Sequence, residues 1–347
     1  MKTLRRSLRV TIATVTVTTM ALVATAPANA SVKVADLGTL PGGTTSGGYG
    51  INDTGTVVGF SDNAGGARHA TRWERNGRII DLGTLPGDKG SEAYTIDERG
   101  TTVVGTSSVV PLQSERAVRW DGNGRITELP GLAGATVTRA YVINAEGSIV
   151  GISSTPEGVH RPVRWDATGR ISELATVPGD TAGGVGAIND CGDSIGYSGM
   201  PGGILHALRW NRAGVYTRLS PLRGDDSAHA SWINNSGVGV GHSYNAGPNP
   251  VYRAVRWSAD GTVQELKPLP GHIGGSAWGN NDAGFSTGYS YGTDGSTRAV
   301  RWAPDGSVTD LGGIAPGNAD GFQINSSGQV AGMSTAANGK THATRWK

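Results

Sequence analysis

Arg78-Ile79-Ile80-Asp81-Leu82, Ala93-Tyr94-Thr95-Ile96-Asp97, Thr102-Val103-Val104-Gly105-Thr106 and Arg116-Ala117-Val118-Arg119-Trp120 follow one another within residues 78–120. Each run is short and rich in β-branched or aromatic residues. A Leu85-Pro86-Gly87 loop separates the first two, and the tight turn Glu98-Arg99-Gly100 separates the next two. A looser segment leads to Arg119-Trp120, and Asp121-Gly122-Asn123-Gly124 turns into the next unit. Short alternating runs between Gly-bearing turns are strand signals, and nothing here has helical spacing. One unit therefore reads as four strands.

The unit recurs. Arg-Trp pairs end at Trp73, Trp120, Trp165, Trp210, Trp257, Trp302 and Trp346, spaced by 47, 45, 45, 47, 45 and 44 residues. Four short strands per repeat of this length predict a propeller blade. A β-solenoid, the competing architecture, would need shorter coils and atypical capping units. The last copy stops at Thr344-Arg345-Trp346-Lys347, without the strand that follows Arg-Trp elsewhere. Residues 32–37 (Val32 to Leu37) resemble that missing strand. The reading is an all-β, seven-bladed propeller, closed by pairing of strand 32–37 with strand 342–347, which removes exposed edges.

Residues 1–30 read as a signal peptide: Lys2, Arg5, Arg6 and Arg9, then the apolar Val10–Ala24, then Ala28-Asn29-Ala30 as a cleavage site. Ordinary secretion fits better than a twin-arginine route. The expected mature chain, 31–347, is then one extracellular domain without room for a second. Losing four basic residues takes the formal charge from +2 to −2. No Lys/Arg block remains, which argues against nucleic acid as a partner, and no later apolar run is long enough to span a membrane. The lone Cys191 excludes an intramolecular disulfide, so the core alone must hold the fold.

The motifs resemble those of the extracellular HAF-repeat family. The first copy reads Asp36-Leu37-Gly38-Thr39-Leu40, Ile51-Asn52-Asp53-Thr54-Gly55, Val57-Val58-Gly59-Phe60-Ser61 and His69-Ala70-Thr71-Arg72-Trp73. The departure is Thr, Val or Leu where the family's last motif has Phe. The resemblance implies a secreted repeat protein and transfers no catalytic residue.

Most repeated residues read as structural. The seven tryptophans suit inter-blade core. A carboxylate follows Arg by nine residues at Asp81, Glu128, Glu173, Glu265 and Asp310, with Arg218 in the fourth copy. With two-residue turns such as Asn76-Gly77, Arg72 would face Asp81, Arg119 would face Glu128, and Arg345 would face Asp36; a three-residue turn would destroy this register. A ring of seven arginines binding an anion is the functional alternative. Asn52, Asn144, Asn189, Asn234 and Asn325, with Asp97 and Asn281 as variants, suit turn chemistry better than calcium. His69, His206 and His342 share one repeat position with Arg116, Arg161, Arg253 and Arg298, which points to a general donor and not to a metal cluster. Cys191 has no neighbouring histidine in sequence to activate it.

Function is sought where the repeat breaks. The inter-blade loops and the variable third-to-fourth-strand loops should share one face, the common location of binding residues on a rigid scaffold. Blades five and six carry Trp232, Tyr244, Tyr252, Tyr289 and Tyr291. Trp278 takes the place of Tyr49, Tyr94 and Tyr141 and is read as core. Trp232, Tyr244, Tyr252 and Tyr291 are the candidate ligand-binding residues. The leading expectation is a monomeric secreted module without catalytic centre, cofactor or metal, binding a glycan or protein at the cell exterior. A hydrolase or lyase using Asp88, Asp180 and Asp225, and a structural surface protein, are the alternatives.

Overall fold

The computed structural model describes residues 32–347 apart from 111, 112 and 201. The expected leader lies outside the described residues. Residues Val32–Lys347 form one compact unit of seven four-stranded antiparallel sheets. Blade one consists of Ser46–Ile51, Val57–Asp62, Arg68–Trp73 and Ile79–Asp81, from the innermost strand to the outermost. Each innermost strand touches its counterpart in the next blade, and the first touches the seventh. The protein is a seven-bladed β-propeller. No helix among the described residues is long and apolar enough to cross a membrane.

The seventh blade contains Ala319–Ile324, Val330–Thr335, Thr341–Trp346 and, as its outermost strand, Val34–Asp36. Val34 pairs with Trp346 and Asp36 with Thr344. The two ends of the described chain thus share one sheet, as their sequences predict.

The repeat tryptophans are buried to 2% exposure or less. Trp120 packs on Val58 and Ala70 of the preceding blade, and Trp165 on Val104 and Ala117. In five blades the indole N–H also donates to the loop that enters the blade, as from Trp165 to the Pro130 carbonyl at 2.8 Å. Burial of apolar area explains why Trp recurs in all seven blades, while the buried N–H groups of Trp73 and Trp120 have no partner.

The Arg–carboxylate register expected from two-residue turns does not form. Glu74 and Arg78 close a three-residue loop whose Gly77 has φ +87°, a type I turn followed by a left-handed glycine. The extra residue shifts the register by one. Asp81 lies opposite Thr71, Glu128 opposite Val118, and Asp36 opposite Thr344. The carboxylates instead reach the His/Arg position: Asp81 to His69, Glu128 to Arg116, Glu173 to Arg161, Asp310 to Arg298 and Asp36 to His342. Six of the seven motif arginines cross to the next blade. Arg72 donates to the Gly100 carbonyl and Arg345 to that of Gly55, and four further blades repeat the bond. They are inter-blade ties and not a free anion-binding ring.

Candidate functional site: the axial channel

Every innermost strand carries a β-bulge at one position. In blade one Gly48 pairs with Gly59 and Gly50 with Val58, which leaves Tyr49 unpaired. The same shift leaves Tyr94, Tyr141, Gly186, Ser231, Trp278 and Phe322 unpaired. A bulge re-aims its extra residue, and here all seven of these residues line a cavity on the axis, five of them with aromatic rings. The motif glycine of the second strand permits the close approach that this requires. A Cβ on Gly59 would lie 1.9 Å from the Gly47 carbonyl oxygen, and the equivalent glycines are as crowded.

The bulged aromatics touch in sequence around the axis. Tyr141–Tyr94, Tyr94–Tyr49, Tyr49–Phe322 and Phe322–Trp278 have ring centroids 5.3, 5.7, 5.4 and 6.3 Å apart. Blades four and five carry Gly186 and Ser231 at this position. There the girdle is continued by His229, 6.5 Å from Trp278, and by Tyr197 of a second strand, 4.6 Å from His229. The two small residues keep the space open. The cavity measures about 410 Å³ and is walled by all seven blades, within the size range of small-molecule sites.

Burial holds these groups neutral. It raises the phenols of Tyr49, Tyr94, Tyr141 and Tyr197 above their ordinary pKa. His229 stacks on its cross-strand partner His242, with centroids 5.1 Å apart and planes 2° apart. Burial lowers His229 to about 4. His242 falls to about 3, through burial and then the charge of His229. Arg139, which also lines the cavity, is paired with the buried Glu115. Arg68 pairs with Glu92 and lies over the Phe60 ring at 3.9 Å.

Thr95, Val142, Trp232 and Gln323 line both this cavity and a second space of about 170 Å³ on the face of the Asn-x-x-Gly turns. Here the motif asparagines do more than shape turns. The Asn189 side chain accepts from the Asp193 N–H of its own turn, and its amide donates to the Asn234 carbonyl of the next blade. Asn144, Asn234, Asn281 and Asn325 donate in the same way. Outside this ring stand Asp53, Glu98, Asp190 and Asp282, each accepting a backbone N–H from a neighbouring blade. Glu98 is pushed up to about 7 by burial first, with the Asp53, Asp190 and Asp97 charges adding to it.

The structure divides the four residues expected to bind ligand. Trp232 lines the channel, packed against two core clusters. Tyr244 lies opposite Ser227, at the far end of the strand that carries Trp232. It contacts Tyr252 at 5.0 Å, and the Tyr252 N–H donates to the Tyr291 hydroxyl at 2.9 Å. These three tyrosines do not line the cavity themselves, but His242 joins them to its wall: it contacts Tyr252 at 5.0 Å and Tyr244 at 5.8 Å and stacks on His229. Trp278, read from sequence as core, is instead part of the cavity wall. The bulge is what sequence reasoning missed. Its signal was the recurring aromatic two residues before Ile-Asn, on a strand with both faces buried.

The three aspartates of the enzyme alternative stand in separate blades, each engaged locally. Asp88 binds Ser107 and Arg116, Asp180 binds Ser198 and His206, and Asp225 binds Ser243 and Arg253. Cys191 is exposed on the turn face. Arg218 faces Leu208 in the register slot where other blades carry a carboxylate.

No family model and no curated protein matches the chain. Solved structures do. A streptogramin B lyase is 14% identical with a TM-score of 0.58, covering 91% of this chain and 98% of that one. A catalytically inactive virginiamycin B lyase from Staphylococcus aureus, solved with quinupristin, is 16% identical at 0.57, covering 91% and 99%. A puromycin-hydrolyzing peptidase from Mycobacterium tuberculosis is 13% identical at 0.61, covering 87% of this chain and 50% of that one. At these identities the similarity is one of propeller fold.

Proposed function

We propose that the chain is an exported binding module, of the kind the HAF-like motifs imply, and that its ligand occupies the axial cavity. One observation carries this reading. Five blades turn an aromatic or a large apolar ring inward at the bulge, while Gly186 and Ser231 leave the space between them unfilled. A fold stabilised only by packing gains nothing from an open aromatic-walled cavity, since unfilled volume costs contacts. Apolar walls with a few polar groups, here Arg139, His160 and Gln323, are the usual make-up of a small-molecule site. Export is supported by residues 1–30, and N-terminal sequencing of protein from the culture medium tests it.

Ser231→Tyr tests the site. It restores the ring that blades one to three carry and fills the cavity. A compound library screened by tryptophan fluorescence should yield ligands for the natural chain whose binding Ser231→Tyr abolishes, with the fold unchanged by circular dichroism. Ligands that bind both forms equally would place the site elsewhere, first at the Tyr244, Tyr252 and Tyr291 cluster.

A further inference from the structure

The turn-face mouth and the girdle differ in character, and together they select a charge. The mouth presents Asp53, Glu98, Asp190 and Asp282, and no Lys, Arg or His is among the residues that line it. Their hydrogen-bond partners there are backbone N–H groups and one asparagine amide, and none of the four forms an ion pair among the described residues. The charge of Asp53, Asp190 and Asp282 therefore faces the channel entrance without a paired cation, and Glu98, raised to about 7 by burial, adds only part of a charge at neutral pH. Inside, Arg139 is neutralised by Glu115, and the rings of Tyr49, Tyr94, Phe322 and Trp278 succeed one another around the wall. Aromatic rings with water excluded attract a cation through their quadrupoles, most strongly one that is weakly hydrated. Clefts lined by one sign of charge raise the local concentration of the opposite sign. An anion would have to pass the carboxylates and then find no free cation. An inorganic cation would give up tight hydration for rings that offer it few oxygens.

We propose that the cavity takes a compact organic cation, a quaternary or tertiary ammonium group, admitted through the acidic turn-face mouth. This rests on the cavity reading above and names its ligand class.

Choline and 3,3-dimethylbutan-1-ol have nearly the same shape and differ in charge, so titrating both separates the two ideas. Tryptophan fluorescence of the mature chain should show choline binding about fivefold or more tighter than the alcohol. Equal affinities, or a preference for the alcohol, would overturn the cation and leave the cavity standing. Binding of neither would also overturn the cation, while the Ser231→Tyr screen decides the cavity independently. Trp278→Leu should remove most of the choline preference while Trp278→Phe keeps part of it, each with its thermal transition checked for folding. Asp190→Asn with Asp282→Asn keeps the backbone acceptors and removes two charges. It should slow choline association several-fold at low salt and little at high salt. An association rate unchanged in that double variant would move entry to the loop face and overturn the proposed route.

Discussion

His342, in the last strand of the chain, pairs through Nδ1 with the Asp36 carboxylate of the first strand at 3.0 Å. This contact, and not one from Arg345, joins the side chains of the closing strands. Arg345 is 6% exposed and donates instead to the Gly55 carbonyl of blade one at 2.6 Å.

A double-mutant cycle on His342 and Asp36 should give a coupling of about 0.5–1.5 kcal/mol, the range of a side-chain hydrogen bond. The cycle of Arg345 with Asp36 should give none. Arg345→Ala should cost about 2 kcal/mol, because it strips a buried carbonyl of its partner. Urea denaturation measures all three, and a coupling between Arg345 and Asp36 would restore the two-residue-turn register.

Gly241 lies under the His229 carbonyl, and a Cβ there would stand 2.0 Å from that oxygen. Gly241→Ala must push the innermost strand of blade five off its neighbour. The cost should be about 3 kcal/mol or more, at the upper end of overpacking. A midpoint in urea within error of the natural chain would mean that the bulge is not needed.

The His229–His242 stack predicts acid sensitivity. Both groups have folded pKa values, about 4 and about 3, below an unfolded value near 6.5. The native state therefore binds fewer protons than the unfolded state. Stability from these groups is complete above pH 6.5 and is lost as pH falls toward 4. The melting temperature of the natural chain should drop across that window, and that of His229→Gln/His242→Gln should drop less. Parallel curves would exclude the pair as the cause.

Glu98 works in the opposite direction. Its folded pKa, about 7, lies above the ordinary 4.5, so the native state holds a proton that the unfolded state releases. That contribution is complete below pH 4.5 and is lost as pH rises through 7. Glu98→Gln keeps an acceptor for the Asp53 N–H and should melt progressively higher than the natural chain between pH 6 and 8. Proton uptake on folding, followed by titration at pH 6, should fall in the same variant.

Much of the fold was legible in residues 32–347. Trp spacing gave the number of blades, Gly-bearing turns gave the strands, and the likeness of Val34-Ala35-Asp36 to the strand after each Arg-Trp gave the closure. These features are local or repeat at a fixed period, so one chain displays them seven times. The Ser of Val-Val-Gly-x-Ser repeated as plainly, but its work did not. Ser61, Ser107 and Ser153 each cap an N–H of the loop entering a blade, at Leu40, Leu85 and Leu132. That partner lies 21 or 22 residues away.

The site was less legible. A propeller strand is buried on both faces, so an alternating pattern does not say which residues meet the next blade and which meet the axis. Tyr49, Tyr94, Tyr141 and Trp278 look like core residues in sequence. Only the bulges turn them inward, and a bulge has the composition of any strand. The sequence by itself determined the ring of seven, its seam and its tryptophan ties, because local propensity and periodicity dictate them. The tertiary structure alone decided the register of the outer hairpins, the cavity opened by Gly186 and Ser231, and the acidic mouth. Each depends on where seven distant segments meet around an axis that no single repeat contains.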